Sequence, residues 1–243
     1  MLGAVTLIPA AFRISYAQAG LFDKAKELLG DIKDLAPGGM AGELSNDEIV
    51  AGLREALKVG SERVVAQVGA LDGFNADPEI HIPLPGVLRD VQKTLGRFGM
   101  SGLADDLELR LNRGAEAAAP EAKALFLDAI TQMTLDDAKG ILDGPDDAAT
   151  QYFKKKTSTR LGKRMKPIVD RNLADVGAIA AYDKMMGQYE AIPLVPDVKA
   201  DLTDYVVDEA LDGIFFYIAK EEAAIRNDPA KRTTEILKRV FGS

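Results

Sequence analysis

The chain has no cysteine, which excludes disulfides, thiolate metal sites, cysteine nucleophiles and a lipid-modified N-terminal cysteine. Its one histidine, His81, is too few for multi-histidine zinc sites or for the paired Glu-x-x-His motifs of di-iron bundles. Tryptophan is absent and aromatic residues are sparse. No apolar stretch has the length of a membrane span. There is no Walker loop, no Rossmann glycine fingerprint after a strand, no G-x-S-x-G elbow and no zincin motif. These gaps weigh against an enzyme and imply no cofactor, although a carboxylate pair leaves no fixed spacing in sequence.

What is present suits a folded, acidic protein. With 243 residues and 47% apolar composition, the chain can bury a substantial core. A formal charge of −8 repels phosphate backbones, so nucleic acid is not an expected partner unless a basic patch is set apart.

Residues Met1 to Ala19 are small and apolar and end in Ala17-Gln18-Ala19, the pattern a signal peptidase reads before cutting. No Lys or Arg precedes the apolar run, and Arg13 interrupts it. The expectation is a signal peptide over 1–19 with Gly20 as the mature start, hence a soluble periplasmic protein. Residues 20–44 read as a short helix, Leu21 to Leu35, followed by a flexible joint at Pro37-Gly38-Gly39 and Gly42.

From Ser45 onward helices dominate. Ser45 and Glu48 spell a capping box, flanked by Leu44 and Ile49 at staple positions, and Leu53, Ala56, Leu57, Gly60, Val64 and Val68 continue a buried face. Ile80, Ile82 and Leu84 alternate among prolines, which predicts a short extended segment with His81 pointing the other way. His81 is either a general base or lone ligand, or a hydrogen-bonded loop residue, and no neighbouring nucleophile favours the first. Ala122, Leu125, Phe126, Ala129, Ile130 and Met133 form a helical stripe, and Thr134 with Asp137 opens the next helix with a second capping box. Gly144-Pro145 stops that helix, Asp146 or Asp147 is placed to cap the following one, and Pro167 is expected to kink or divide it. Val207, Ala210, Leu211, Ile214, Ile218 and Ile225 mark a long apolar helix, and Asp228-Pro229 starts a last one. The predicted fold is all-α: one compact domain over 45–243 with roughly eight to ten helices and at most a short extended element near Ile80–Leu84.

Several stretches carry a family resemblance. They are Gly52 to Leu57, Ile82-Pro83-Leu84-Pro85, Asn112-Arg113 with Ala115-Glu116, Pro120 to Lys123, Ala148-Ala149-Thr150 with Tyr152-Phe153, Pro167-Ile168-Val169, Ala210 to Gly213, and Ile225 to Pro229. In this order they resemble the DUF4197 family, from about Ser45 to Gly242. The resemblance implies a small bacterial protein, commonly exported, and carries over no activity. Where members have asparagine before the proline of the last motif, this chain has Asp228.

Three constellations are candidates for function. Lys154, Lys155, Lys156, Arg160, Lys163, Arg164, Lys166 and Arg171, with only Asp170 acidic among them, make a basic helix in an acidic protein, and Lys156, Arg160 and Arg164 recur every four residues beside the core stripe Phe153, Thr157, Leu161 and Met165. They read as a face for an anionic ligand or a protein partner in the cell envelope; the plainer reading pairs them with Asp136, Asp137, Asp143, Asp146 and Asp147. Asn112, Arg113 and Glu116 share a helix face and read as a polar cluster within the bundle that fixes helix register, or less favourably a ligand site. Glu116, Asp128 or Asp143 would serve the alternative function, a carboxylate-based enzyme or divalent-cation site, if they converged. No catalytic or metal-ligating residue is assigned, and the leading expectation is a non-enzymatic envelope binding protein.

Overall fold

The helices begin where the sequence supplies local caps. In the computed structural model, which describes residues 45–175, 177–191, 201–228 and 238, the Ser45 hydroxyl accepts from the Glu48 amide while the Glu48 carboxylate accepts from the Ser45 amide. The described helices are α1 (Asn46–Val68), α2 (Gly86–Gly96), α3 (Gly102–Ala118), α4 (Glu121–Thr131), α5 (Leu135–Leu142), α6 (Ala148–Asp175), α7 (Ala178–Glu190) and α8 (Leu202–Asn227). Among the described residues there is no strand. The protein is all-α, and residues 44–243 form one compact unit. No helix among the described residues is long and apolar enough to cross a membrane. The signal peptide, the helix at Leu21–Leu35, the glycine joint, Leu44, the 191–196 connector beyond Ala191, and the helix after Pro229 apart from Lys238 lie outside the described residues.

The central helix is α6, which packs on α3, α4, α5, α7 and, most extensively, α8. Phe153, Thr157, Leu161, Met165, Val169 and Leu173 are buried at intervals of four. Four residues of α-helix overshoot a full turn by roughly 40°, so this stripe winds around α6 and meets different neighbours along its length. Phe153 lies against Phe126 of α4, ring centres 4.9 Å apart, whereas Leu173 lies over Gly114 of α3. Phe215 of α8 completes the aromatic group edge-on to Phe126 at 6.0 Å. Thr157 tolerates burial because its hydroxyl donates to the Phe153 carbonyl at 2.7 Å.

Pro167 does not divide α6, which runs unbroken from Ala148 to Asp175. Packing against five helices holds the segment together where the ring removes a single backbone donor. The caps proposed at Asp146 and Asp147 are likewise replaced. Amides of the first turn of α6 donate to Glu222 of α8, and Asp147 accepts instead from the Gln151 side chain at 2.9 Å.

Candidate functional site

Residues 81–85 belong to neither helix nor strand, so the backbone groups of Ile82 and Leu84 take partners from side chains. One stripe of α3 supplies them. The buried Asn112 accepts from the Ile82 amide at 2.9 Å and donates to the Ile82 carbonyl at 2.8 Å, acting as a surrogate strand. One turn away, Glu108 accepts from the Leu84 amide at 3.0 Å with one oxygen and contacts His81 Nε2 at 2.9 Å with the other. One turn in the other direction, buried Glu116 accepts from the amides of Phe74 and Asn75 at 3.2 and 3.1 Å.

Arg113 closes this set from outside. It donates to Glu116 at 2.6 Å and to Asp72 at 2.7 Å, and these carboxylates, Glu116 first, hold its proton more firmly than usual. Asp72 sits in the left-handed region at φ 65°, and donation from Asn75 and then Arg113 keeps its carboxyl below the ordinary range. His81 is half-buried between the buried Ile80, Ile82 and Leu84, and its Nδ1 lies 2.9 Å from the Asn75 carbonyl.

The opposite side of the loop is gripped by α8. Tyr205 donates to the Pro83 carbonyl at 2.8 Å, and burial pushes its hydroxyl up to about 12. Tyr217 donates to Asp77, and that bond, together with burial, raises it to about 12. Between them Gly213 leaves room for Phe74: a Cβ there would lie 2.7 Å from Phe74 Cε1 and 3.2 Å from Ile80 Cβ. Asn112, Arg113 and Glu116 are therefore brought together, and their hydrogen bonds run to the 72–82 backbone, to Glu108 and Asp72, and to one another. The sequence reading missed Glu108, although its spacing of four from Asn112 and eight from Glu116 beside Leu107, Leu111 and Ala115 was the available signal.

A second polar joint was also missed. Buried Glu222 accepts from the amides of Ala149 and Thr150 at 2.8 and 2.9 Å and from the Thr150 hydroxyl at 2.9 Å, so a carboxylate sits on the positive end of α6. Arg226, one turn along α8, donates to Glu222 at 3.0 Å and to the Ile141 carbonyl at the end of α5 at 2.6 Å. One ion pair thus satisfies the end of one helix and the start of the next.

The basic residues of α6 are arranged differently. Lys154, Lys155, Lys156, Arg160, Lys163, Arg164 and Lys166 are all exposed, and no acidic residue occurs between Asp147 and Asp170. Arg160 pairs with Asp128 of α4 at 2.7 Å, and Lys166 pairs with Asp204 of α8. The ammonium groups of Lys154 and Lys156 stand 5.5 Å from the ring centres of Phe215 and Tyr152. Asp137 is held below the ordinary carboxylate range chiefly by the Thr134 amide of its capping box, then by the Thr134 hydroxyl, Lys156 and Lys155. Lys163 and Arg164 have no carboxylate within ion-pair distance among the described residues.

The carboxylates considered for chemistry have separate surroundings. Glu116 faces the 72–75 amides, Asp128 pairs with Arg160, and Asp143 is the C-terminal cap residue of α5. Among the described residues, no three His, Asp or Glu side chains are grouped to hold a metal ion. Neither a curated protein nor a solved structure matches the sequence. The family described as "Protein of unknown function (DUF4197)" matches residues 43–242, nearly the whole chain and all of the helical unit just described. The chain belongs to the DUF4197 family.

Proposed function

We propose that this protein is a non-enzymatic binding protein of the bacterial cell envelope, exported in soluble form, that holds an anionic ligand or protein partner along the exposed face of α6. Lys156, Arg160 and Arg164 form its axis, with Lys155 and Lys163 beside them. The supporting observation is a segregation of charge: seven exposed cations follow one another on one helix without an intervening acid, in a chain of net charge −8. Exposed cations hold water cheaply and release it to an incoming anion, which gives fast, salt-dependent association.

The test is a titration of the full chain with polyglutamate, inorganic polyphosphate and phosphatidylglycerol vesicles, followed by backbone amide shifts. At least one probe is expected to move α6 amides, less so with added salt, and not at all in the triple variant Lys156→Glu, Arg160→Glu, Arg164→Glu. Shifts that ignore α6, or none with any probe, would refute the reading. Export is tested by the mature N-terminus in the cell, expected at Gly20; intact Met1 in the cytosolic fraction rules export out.

A further inference from the structure

The α6 ridge is bounded as well as basic. Asp128 flanks it on the α4 side and Asp137 on the α5 side, beside Lys155 and Lys156. Beyond Lys166 lie Asp170, Asp201 and Asp204, all close enough to strengthen that ammonium's hold on its proton, with the Asp204 bond first. Asp143, Asp146 and Asp147 precede the other end in sequence. From Lys155 to Lys166 the ridge spans roughly 16 Å at 1.5 Å per residue. A long or flat polyanion that covered it would also press against these carboxylates.

Three chemistries compete for such a surface. An anionic bilayer presents a plane of charge that meets the acidic rims together with the ridge, and the exposed large apolar residues, Leu71, Val87, Phe98, Leu109, Leu135 and Ile179, all lie off α6. Single-stranded nucleic acid stacks its bases on exposed aromatic rings, and the only aromatic residues of α6, Tyr152 and Phe153, are buried. It also carries charge without interruption past both acidic ends. An extended peptide differs on each count. Its alternate side chains recur about every 6.7 Å on one face, near the roughly 6 Å rise between residues four apart on a helix. About five residues cover the ridge, and neutral flanking residues avoid the rims.

We infer that the ridge binds a short acidic segment of a partner protein, extended along α6, with carboxylates at alternate positions against Lys156, Arg160, Lys163 and Arg164. This rests on the reading of α6 as an anion-binding face. Arg160 takes part by sharing its guanidinium between Asp128 and the incoming carboxylate. Lys163 and Arg164, which have no carboxylate of their own, contribute most.

The experiment compares a peptide of alternating glutamate and serine, its glutamine counterpart, a thymidine oligonucleotide, polyphosphate and phosphatidylglycerol vesicles, each titrated into the isotope-labelled full chain at low salt. The acidic peptide is expected to shift α6 amides, the glutamine peptide to leave them in place, and an acidic peptide of about twice the length to bind no more tightly. Lys163→Glu with Arg164→Glu should raise the peptide Kd about tenfold, as loss of two to three exposed ion pairs implies. Circular dichroism of that variant confirms that the fold is retained. If polyphosphate, oligonucleotide or vesicles move α6 and the acidic peptide does not, the peptide inference fails while the anion-binding face stands. If no probe moves α6, both fail.

Discussion

The polar joints around Asn112, Glu116 and Glu222 and the ridge on α6 are made of the same kinds of residue, yet they differ in whether the chain answers its own charges. At the joints, buried carboxylates and an amide accept from named backbone amides, and Arg113 and Arg226 complete them at 2.6 and 3.0 Å. On the ridge, Lys163 and Arg164 extend from an exposed face with no internal carboxylate among the described residues. Burial explains the difference, because an unsatisfied polar group inside costs about 1–3 kcal/mol whereas a solvated ammonium costs nothing. Stability is therefore expected to reside in the joints, and the proposed binding in the ridge. Mutations should separate the two cleanly.

The largest effect is expected at Glu222. Glu222→Ala removes the buried carboxylate that Arg226 pairs with and frees the amides of Ala149 and Thr150, and breaking a buried pair costs about 3–5 kcal/mol. Urea unfolding followed by circular dichroism reads this as a fall in midpoint without a change in slope. A loss below about 1 kcal/mol would show that the joint is not a source of stability. Next comes Asn112→Ala, which strips partners from both backbone groups of Ile82 and should cost about 2–4 kcal/mol. Asn112→Asp keeps the acceptor for the Ile82 amide and removes the donors to the Ile82 and Glu108 carbonyls, so it tests which half of the clasp matters.

A smaller effect distinguishes close packing from polar satisfaction. Gly213→Ala brings a methyl within 2.7 Å of Phe74 and is expected to destabilise by about 1–3 kcal/mol. The counterpart is Gly140→Ala on α5, where nothing lies within 4 Å of the added carbon. There helix propensity alone operates, and a gain of up to about 1 kcal/mol is expected. Equal effects at the two glycines would mean that the loop shifts aside rather than being held between α3 and α8.

How much of this was readable in advance follows from sequence separation. The two capping boxes, Ser45 with Glu48 and Thr134 with Asp137, were legible because each is closed by residues three apart. The alternation that buries Ile80, Ile82 and Leu84 and leaves His81 half-buried was legible because it obeys a period of two. Asn112, Arg113 and Glu116 stood out as a cluster, but their targets at residues 72–82 lie 30 to 42 positions away, and nothing local points to them. Glu222 was the hardest, because it caps a helix 72 to 73 residues earlier and in sequence belongs to the charged run Lys220-Glu221-Glu222, where it reads as an ordinary surface glutamate. Asp146 and Asp147 offered the local solution, and tertiary packing chose the distant one. The basic run on α6 was visible at once, whereas the acids that bound it, Asp128, Asp201 and Asp204, come from other helices.

The smallest expected stability effect belongs to the ridge itself. Lys163 and Arg164 are exposed and make no ion pair with the described residues, so Lys163→Glu with Arg164→Glu removes no ion pair among them. Two new acids on an otherwise cationic run also relieve repulsion among Lys155, Lys156, Arg160 and Lys166. Surface changes of this kind stay within about 0.5 kcal/mol, and the urea midpoint should barely move. The same variant is the one expected to weaken peptide binding about tenfold. A large loss of stability in this variant would place the two cations among the joints and remove the contrast. Unchanged stability with weakened binding is the outcome that a surface kept open for a partner requires.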